Sequence, residues 1–403
     1  MRQEKEASVS QNILDDPKVE WIREQMPVTR RSVYLNTGTA GPLPRPAVAA
    51  MQAAMERELF QGRSGTAAMQ ALEEHGAAAR TGVAAILGAS PTEIALTHFT
   101  TEGINVGVWS LDWQPGDEVI TSNLEHPAVW VPLQVVSERR GVVVRTVDLG
   151  LGDGDVLGQI ATAITPRTRM IVLSHVTYAT GAVLPVAGLA RLTRERGIRL
   201  LIDGAQAAGA IPVDVKAIGA ELYAVPGQKW LCGPEDTGAL YVDAARMTEI
   251  LLTFAGYKSV TPPNPSEPRR LRTDARRYEV GSRFVPALAA QAAALRWLRE
   301  EVGLEWIFAR IQALAQYVRE GLGTLRRVRV LTPVAKDTYA AGLVSFAVDD
   351  VAAPDLVQEL DRRGYYLRWI DQPRCCRISC GFYNTTKEID GLIQEIERIR
   401  RGR

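Results

Sequence analysis

The sequence predicts an α/β fold: a large domain built on a mainly parallel sheet, followed by a smaller C-terminal α/β domain. Three observations carry that reading. From about residue 84 to residue 242, short aliphatic and β-branched runs alternate with stretches of helical spacing, the pattern of β-α-β units. Polar residues fall just past the ends of those runs, with Asp203 closing Leu200-Leu-Ile and Glu125 and His126 following Glu118-Val-Ile-Thr-Ser. In open parallel sheets, ligands gather at the carboxyl ends of the strands, where these residues would sit. From about Arg327 onward, strand and helix patterns alternate again, enough for a second, smaller unit.

The elements follow in chain order. Residues 1–31 are polar and read as an N-terminal arm and helix. Gly38-Thr-Ala-Gly41-Pro-Leu-Pro is loop chemistry, and residues 47–60 then read as a helix opened by proline. Strands are expected over 93–97, 118–122, 142–147, 170–175, 199–203 and 239–242, and helices over 102–111 and 186–196. Pro262-Pro-Asn-Pro-Ser-Glu-Pro268 reads as a surface loop, and the apolar spacing over 287–323 suits one long helix linking two domains.

Composition narrows the function classes. With 403 residues the chain can bury a substantial core, and 46% hydrophobic with 23% charged residues is ordinary globular composition. A net charge of +1 gives no reason to expect nucleic acid or an anionic membrane as partner. The opening Met1-Arg-Gln-Glu-Lys-Glu is charged, unlike a signal peptide, and no apolar run is long enough to span a bilayer. The four cysteines, Cys232, Cys375, Cys376 and Cys380, are too few and too clustered for a secreted disulfide framework. A cytoplasmic enzyme without a metal site is the expectation.

The chemistry concentrates in two segments. Leu200-Leu-Ile-Asp203 reads as a buried strand delivering a carboxylate to its tip. Tyr223-Ala-Val-Pro-Gly-Gln-Lys229-Trp puts a lone lysine on a turn after another apolar run. An aspartate at a strand tip and a lysine in an apolar pocket are what pyridoxal phosphate needs: the lysine forms the Schiff base, and the aspartate keeps a proton on the pyridine nitrogen. Burial would lower the lysine pKa and free the amine to act as nucleophile and base.

With these residues and others in the same order, the chain resembles the fold-type I pyridoxal phosphate enzymes of the class V aminotransferase group. That group includes cysteine desulfurases, isopenicillin N epimerase and the cysteine/cystine C–S lyases. The similarity runs from Tyr34-Leu-Asn-Thr-Gly-Thr to Phe382-Tyr-Asn-Thr and is sharpest to the C–S lyases in the C-terminal third. It implies the pyridoxal phosphate-dependent transferase fold with a seven-stranded sheet. The arm 1–31 would pack with the small domain, 32–285 would form the cofactor-binding domain, and 286–403 the linking helix and small domain. It further implies a homodimer with shared active sites and a small amino-acid substrate.

Residue roles carry over on the same basis. Thr100 and Thr101, at a helix N-terminus, would hold the cofactor phosphate, although read alone they serve equally as ordinary caps. His126, in Asn123-Leu-Glu-His-Pro, would stack on the pyridine ring and relay a proton to a departing sulfur; an isolated histidine there is more often a cap or surface residue. Gln206 would bond the ring oxygen, or simply begin a helix. His175 lies near the ring or is a satisfied histidine at a strand end. Two positions depart from the pattern: Pro226 and Gln228 stand where relatives carry Ser or Thr and then His, so one phosphate contact is lost while Gln228 keeps an amide donor. Ser282, in Tyr278-Glu-Val-Gly-Ser, would complete the phosphate cup of the neighbouring subunit. On the substrate side, Arg377 would clamp the α-carboxylate, Arg368 would meet the distal end of a diacid or else be a solvated strand residue, and Tyr257 would lie beside the substrate.

The reaction this constellation implies is β-elimination from cysteine, cystine or an S-substituted cysteine, giving pyruvate, ammonia and a thiol or persulfide. A desulfurase needs a mobile loop bearing a nucleophilic cysteine. Cys375 and Cys376 instead adjoin Arg377 at what reads as the start of a strand, where small buried residues are the plain interpretation. Desulfuration, epimerisation and transamination remain alternatives from the same site, and a cofactor-binding protein without turnover a remote one.

Overall fold

The computed structural model describes residues 12–261, 270–333 and 341–402; the proline-rich run 262–268 lies outside them. The strands in chain order are β1 (Val33–Tyr34), β2 (Ile94–Thr97), β3 (Glu118–Ser122), β4 (Val143–Val147), β5 (Thr168–Ser174), β6 (Arg199–Asp203), β7 (Leu222–Pro226) and β8 (Gly238–Val242). They continue with β9 (Val328–Val330), β10 (Leu343–Val348), β11 (Tyr365–Tyr366), β12 (Arg368–Ile370) and β13 (Cys375–Ser379).

Seven of them form one sheet in the order β2-β8-β7-β6-β5-β3-β4. Every pairing from β4 across to β7 is parallel, while β8 runs antiparallel to both β7 and β2. Alternation along each strand explains why both faces are covered. Ile171, Leu173, Leu200 and Ile202 join one apolar cluster, with Val83, Leu189 and Leu295 from helices. Met170, Val172 and Leu201 join another, with Ile104, Val108 and Leu133. β7, absent from the strands expected above, is the short run ahead of Lys229. Its five residues are all buried between β6 and β8.

The second sheet is four-stranded and antiparallel, in the order β12-β13-β10-β9. Its core, with Val344, Phe346 and Ile378, is covered by helices that supply Leu314, Leu356, Leu360, Leu392 and Ile396. β1 and β11 form a separate two-stranded parallel pair.

The stretch 287–323 is not one helix. Helix Val285–Arg296 passes into a π-helical turn, Trp297–Val302, which ends at Gly303, and helix Leu304–Gly323 starts afresh. Gly303 has φ +87°, a left-handed conformation that no regular helix continues through. Helix Lys18–Gln25 touches both parts of the molecule: Ile22 and Met26 enter the core of the large sheet, while Arg23 donates to Tyr383 O and pairs with Glu388.

Candidate active site

Asp203, Ser174, His126, Thr100 and Lys229 all stand at or just past the carboxyl ends of β6, β5, β3, β2 and β7. The parallel topology therefore gathers them on one edge, and they line a single cavity of about 220 Å³. Thr101 joins them from the first turn of helix Thr100–Val108, Pro226 from the end of β7, and Gln206 and Gln228 from the loops, and Thr39, Tyr178, Arg368 and Arg377 complete the lining. Arg368 and Arg377 are direct cross-strand partners on β12 and β13, so both guanidinium groups reach the same face.

Burial sets the protonation states. The Lys229 amine is brought down to about 8, chiefly by burial; Asp203 opposes the shift, and Arg377 and Arg368 add to it. Asp203 is itself raised by burial and held back by Lys229 and by the Ala205 N–H that donates to its Oδ1 at 2.8 Å. His126 is lowered to about 4, first by burial and then by the Lys229, Arg368 and Arg377 charges, so its ring is neutral at physiological pH. Its Nδ1 accepts the Ala128 N–H at 3.1 Å, which leaves the proton on Nε2. The Tyr178 ring meets the imidazole edge-on with centroids 4.9 Å apart.

Arg377 is fully buried, and its hydrogen bonds go to Tyr178 O (2.9 Å) and Thr39 Oγ1 (3.3 Å). Among the described residues no carboxylate pairs with it, and its Nε has no partner. A buried cation in that state calls for an anion. Arg368 reaches the same Thr39 hydroxyl at 3.4 Å.

Three sequence-derived positions lie elsewhere. The His175 imidazole turns away from the cavity to Tyr223, with Nδ1 and the phenol oxygen 2.8 Å apart. Tyr257 and Ser282 do not line the cavity of their own chain; they bond each other at 2.6 Å on the exposed surface. Gln206 does line it, with Nε2 donating to Gly38 O and Oε1 accepting from Trp230 Nε1, so one Nε2 hydrogen is left for a ligand. Thr39, Ser174 and Tyr178 were not identified from the sequence. A Thr in a loop or a Ser closing a strand carries no spacing signal, and Tyr178 serves Arg377 through its backbone carbonyl.

These residues fit pyridoxal phosphate. Thr100 Oγ1, a hydroxyl able to donate, is buried without a partner where a phosphate would lie, and the first-turn N–H groups of helix Thr100–Val108 add donors. Pro226 lines the same wall without a hydroxyl, so a phosphate there would rest on the threonines and on the Gln228 amide N–H.

Residues 33–392 match the aminotransferase class-V family. The chain belongs to that family. Among its relatives is a cysteine desulfurase of Serratia proteamaculans (strain 568), 30% identical, with 95% of this chain aligned to 98% of that one. A probable cysteine desulfurase of Xylella fastidiosa (strain 9a5c) is 30% identical over 84% of this chain and 82% of its own length. Among solved structures, the cystine C–S lyase C-DES in complex with its reaction product cysteine persulfide superposes with a TM-score of 0.88. It is 32% identical, and the match covers 93% of this chain and 99% of that one. A C-DES mutant with glycine covalently linked to its PLP cofactor gives 0.89 at 31% identity, over 93% and 98%. Class-V membership and the cavity agree on a pyridoxal phosphate enzyme.

Proposed function

We propose that this class-V enzyme is a C–S lyase: it eliminates the β-sulfur substituent of cysteine, cystine or an S-substituted cysteine, releasing pyruvate, ammonia and a thiol or persulfide. The state of the cysteines carries the reading. All four are buried and unbridged. Burial pushes the Cys232 thiol up to about 12 and the Cys375 thiol up to about 11, and raises Cys376 and Cys380 further still. A desulfurase must offer a thiolate to receive the sulfur, and none of these side chains lines the cavity.

The residues then divide the work. Arg377 holds the α-carboxylate through a two-pronged guanidinium contact, and Arg368 offers a second cation one strand over for a distal carboxylate. Bound pyridoxal phosphate supplies the electron sink that makes a Cα proton removable. Lys229 Nζ, its basicity lowered by burial, is the group placed to take that proton. Asp203, raised by burial and held back by Lys229, lines the cavity as the carboxyl that would keep a proton on the pyridine nitrogen. His126 presents a neutral Nε2–H, a donor to the departing sulfur.

We also infer a cytoplasmic homodimer. Tyr257, bonded to Ser282, and Phe284, two residues beyond it, are 53% and 50% exposed, an apolar display that a second copy would cover. Unbridged thiols suit a reducing compartment.

The test supplies the enzyme, loaded with pyridoxal phosphate, with cystine, cysteine and S-substituted cysteines, and quantifies pyruvate, alanine, sulfide and the opposite enantiomer together. Pyruvate as the main product is expected. Alanine in its place would establish desulfuration, and inverted substrate epimerisation.

A further inference from the structure

Glu125 takes no part in the scheme above, yet it is fully buried between the end of β3 and the end of β5, one residue before His126. Its two oxygens are not equivalent. Oε1 accepts twice, from Ser122 Oγ at 2.8 Å and from the Ser174 N–H at 3.2 Å. Oε2 faces only the Ser174 hydroxyl, at 2.5 Å. Ser174 in turn lines the cofactor cavity, beside Asp203 in the sheet. An oxygen already accepting two hydrogens has no room for a third, so a proton on this carboxyl belongs on Oε2.

We propose that Glu125 is a positioning residue: as a carboxylic acid it donates from Oε2 to Ser174 Oγ and so turns the Ser174 hydroxyl hydrogen into the cofactor cavity. When the acid ionises, the Ser174 hydroxyl must donate back to Oε2, and the cavity then faces its lone pairs. The same serine is thus a donor to the cofactor in one state and an acceptor in the other. The inference rests on pyridoxal phosphate as the cofactor and is independent of which sulfur compound is consumed.

The surroundings place the switch in the working range. Burial pushes the Glu125 carboxyl up to about 7 against the Ser174 and Ser122 hydrogen bonds, and the Asp203 charge on β6 adds to the rise. Other charged or titratable groups on the same cavity are His126, Tyr178, Lys229, Arg368 and Arg377. Below about pH 7 the donor state of Ser174 prevails, and above it the acceptor state.

Glu125→Gln locks the first state while keeping every hydrogen bond: its Nε2 donates to Ser174 Oγ, and its Oε1 accepts from Ser122 and from the Ser174 N–H. The experiment records the absorbance of the bound cofactor across neutral pH, without substrate, in wild type, Glu125→Gln, Ser174→Ala and the double variant. Wild type should show a spectral transition centred near pH 7. Glu125→Gln should hold the low-pH spectrum throughout, and Ser174→Ala should abolish the transition, with the double variant identical to it. The proposal is overturned if wild type has no such transition, or if the transition survives in either single variant. Ser174→Ala decides the matter alone should Glu125→Gln not fold. Failure of wild type to take up pyridoxal phosphate would sink the cofactor reading beneath it, a result distinguishable from all of these.

Discussion

Single atoms govern the cavity's shape. Gly41 runs so close to the lysine loop that a Cβ there would lie 2.2 Å from Lys229 O, and the Gly41 N–H donates to Gln228 O at 2.7 Å. Gly41→Ala must therefore push the loop that carries both Lys229 and Gln228. Overpacking of this kind costs about 1–3 kcal/mol. Thermal unfolding should register the loss, and cofactor titration should show weaker uptake; unchanged uptake would show that the loop yields without moving its side chains. Arg377 makes a second test. A lysine keeps the charge but not the planar fork, and charged hydrogen bonds are worth about 1.5–3 kcal/mol, so Arg377→Lys should raise KM about 10–100-fold. A fall confined to kcat would show that the guanidinium acts on the chemical step and not on carboxylate binding. Much of this site was legible from residue types, because a carboxylate at a strand tip and a lysine after a buried run have few structural uses. His175 was not. Its orientation depends on Tyr223, a partner 48 residues away that no local pattern announces.

Elements carry the site by registering their ends, and the opposite edge of the sheet holds that register. Glu118 opens β3 and is buried, with Arg145 on β4 and Arg167 and Thr165 ahead of β5 bonded to its carboxylate. The hydrogen bond from Arg145, followed by those from Thr165 and Arg167, holds this carboxyl at about 2, below the ordinary 4.5. A depressed carboxyl contributes stability that is present above its unfolded pKa and is lost as pH falls through the folded one. The contribution should therefore vanish progressively between pH 4.5 and 2. With the arginines partly in solvent, about 2 kcal/mol is the expected scale. Denaturant titrations of Glu118→Gln against wild type at pH 7 and pH 3 should show a gap at the first that narrows at the second; a gap independent of pH would assign the effect to packing. Element type read well from sequence wherever apolar period and length agreed, as at β3 and β6. It failed at 297–303, where apolar spacing continues through the break between the two helices. A π-turn and a left-handed glycine leave the side-chain pattern of a helix almost intact.

At the scale of the whole molecule, the feature that bears on assembly is Ser282. It lies outside the cavity of its own chain, bonded to Tyr257, with Val280 packed against Gly256 close by. One chain's cavity offers a phosphate Thr100, Thr101, Gln228 and a helix N-terminus, and Pro226 gives it nothing. If a second copy brings its Ser282 to that cup, two inactive variants should repair each other. Lys229→Ala removes the base but leaves Ser282 intact, while Ser282→Asp keeps the base and sets a like charge beside the partner's phosphate. In a two-fold dimer each subunit's cup is finished by the other, so a mixed dimer has one site with both Lys229 and Ser282 and one site with neither. Random reassortment of equal amounts gives mixed dimers half the time, so about a quarter of wild-type activity should return on mixing. The readout is pyruvate release after co-refolding, with light scattering to count subunits. Activity no greater than the sum of the separate variants would mean that Ser282 serves its own chain or no phosphate at all, and Tyr257 would then lose its place beside the substrate with it.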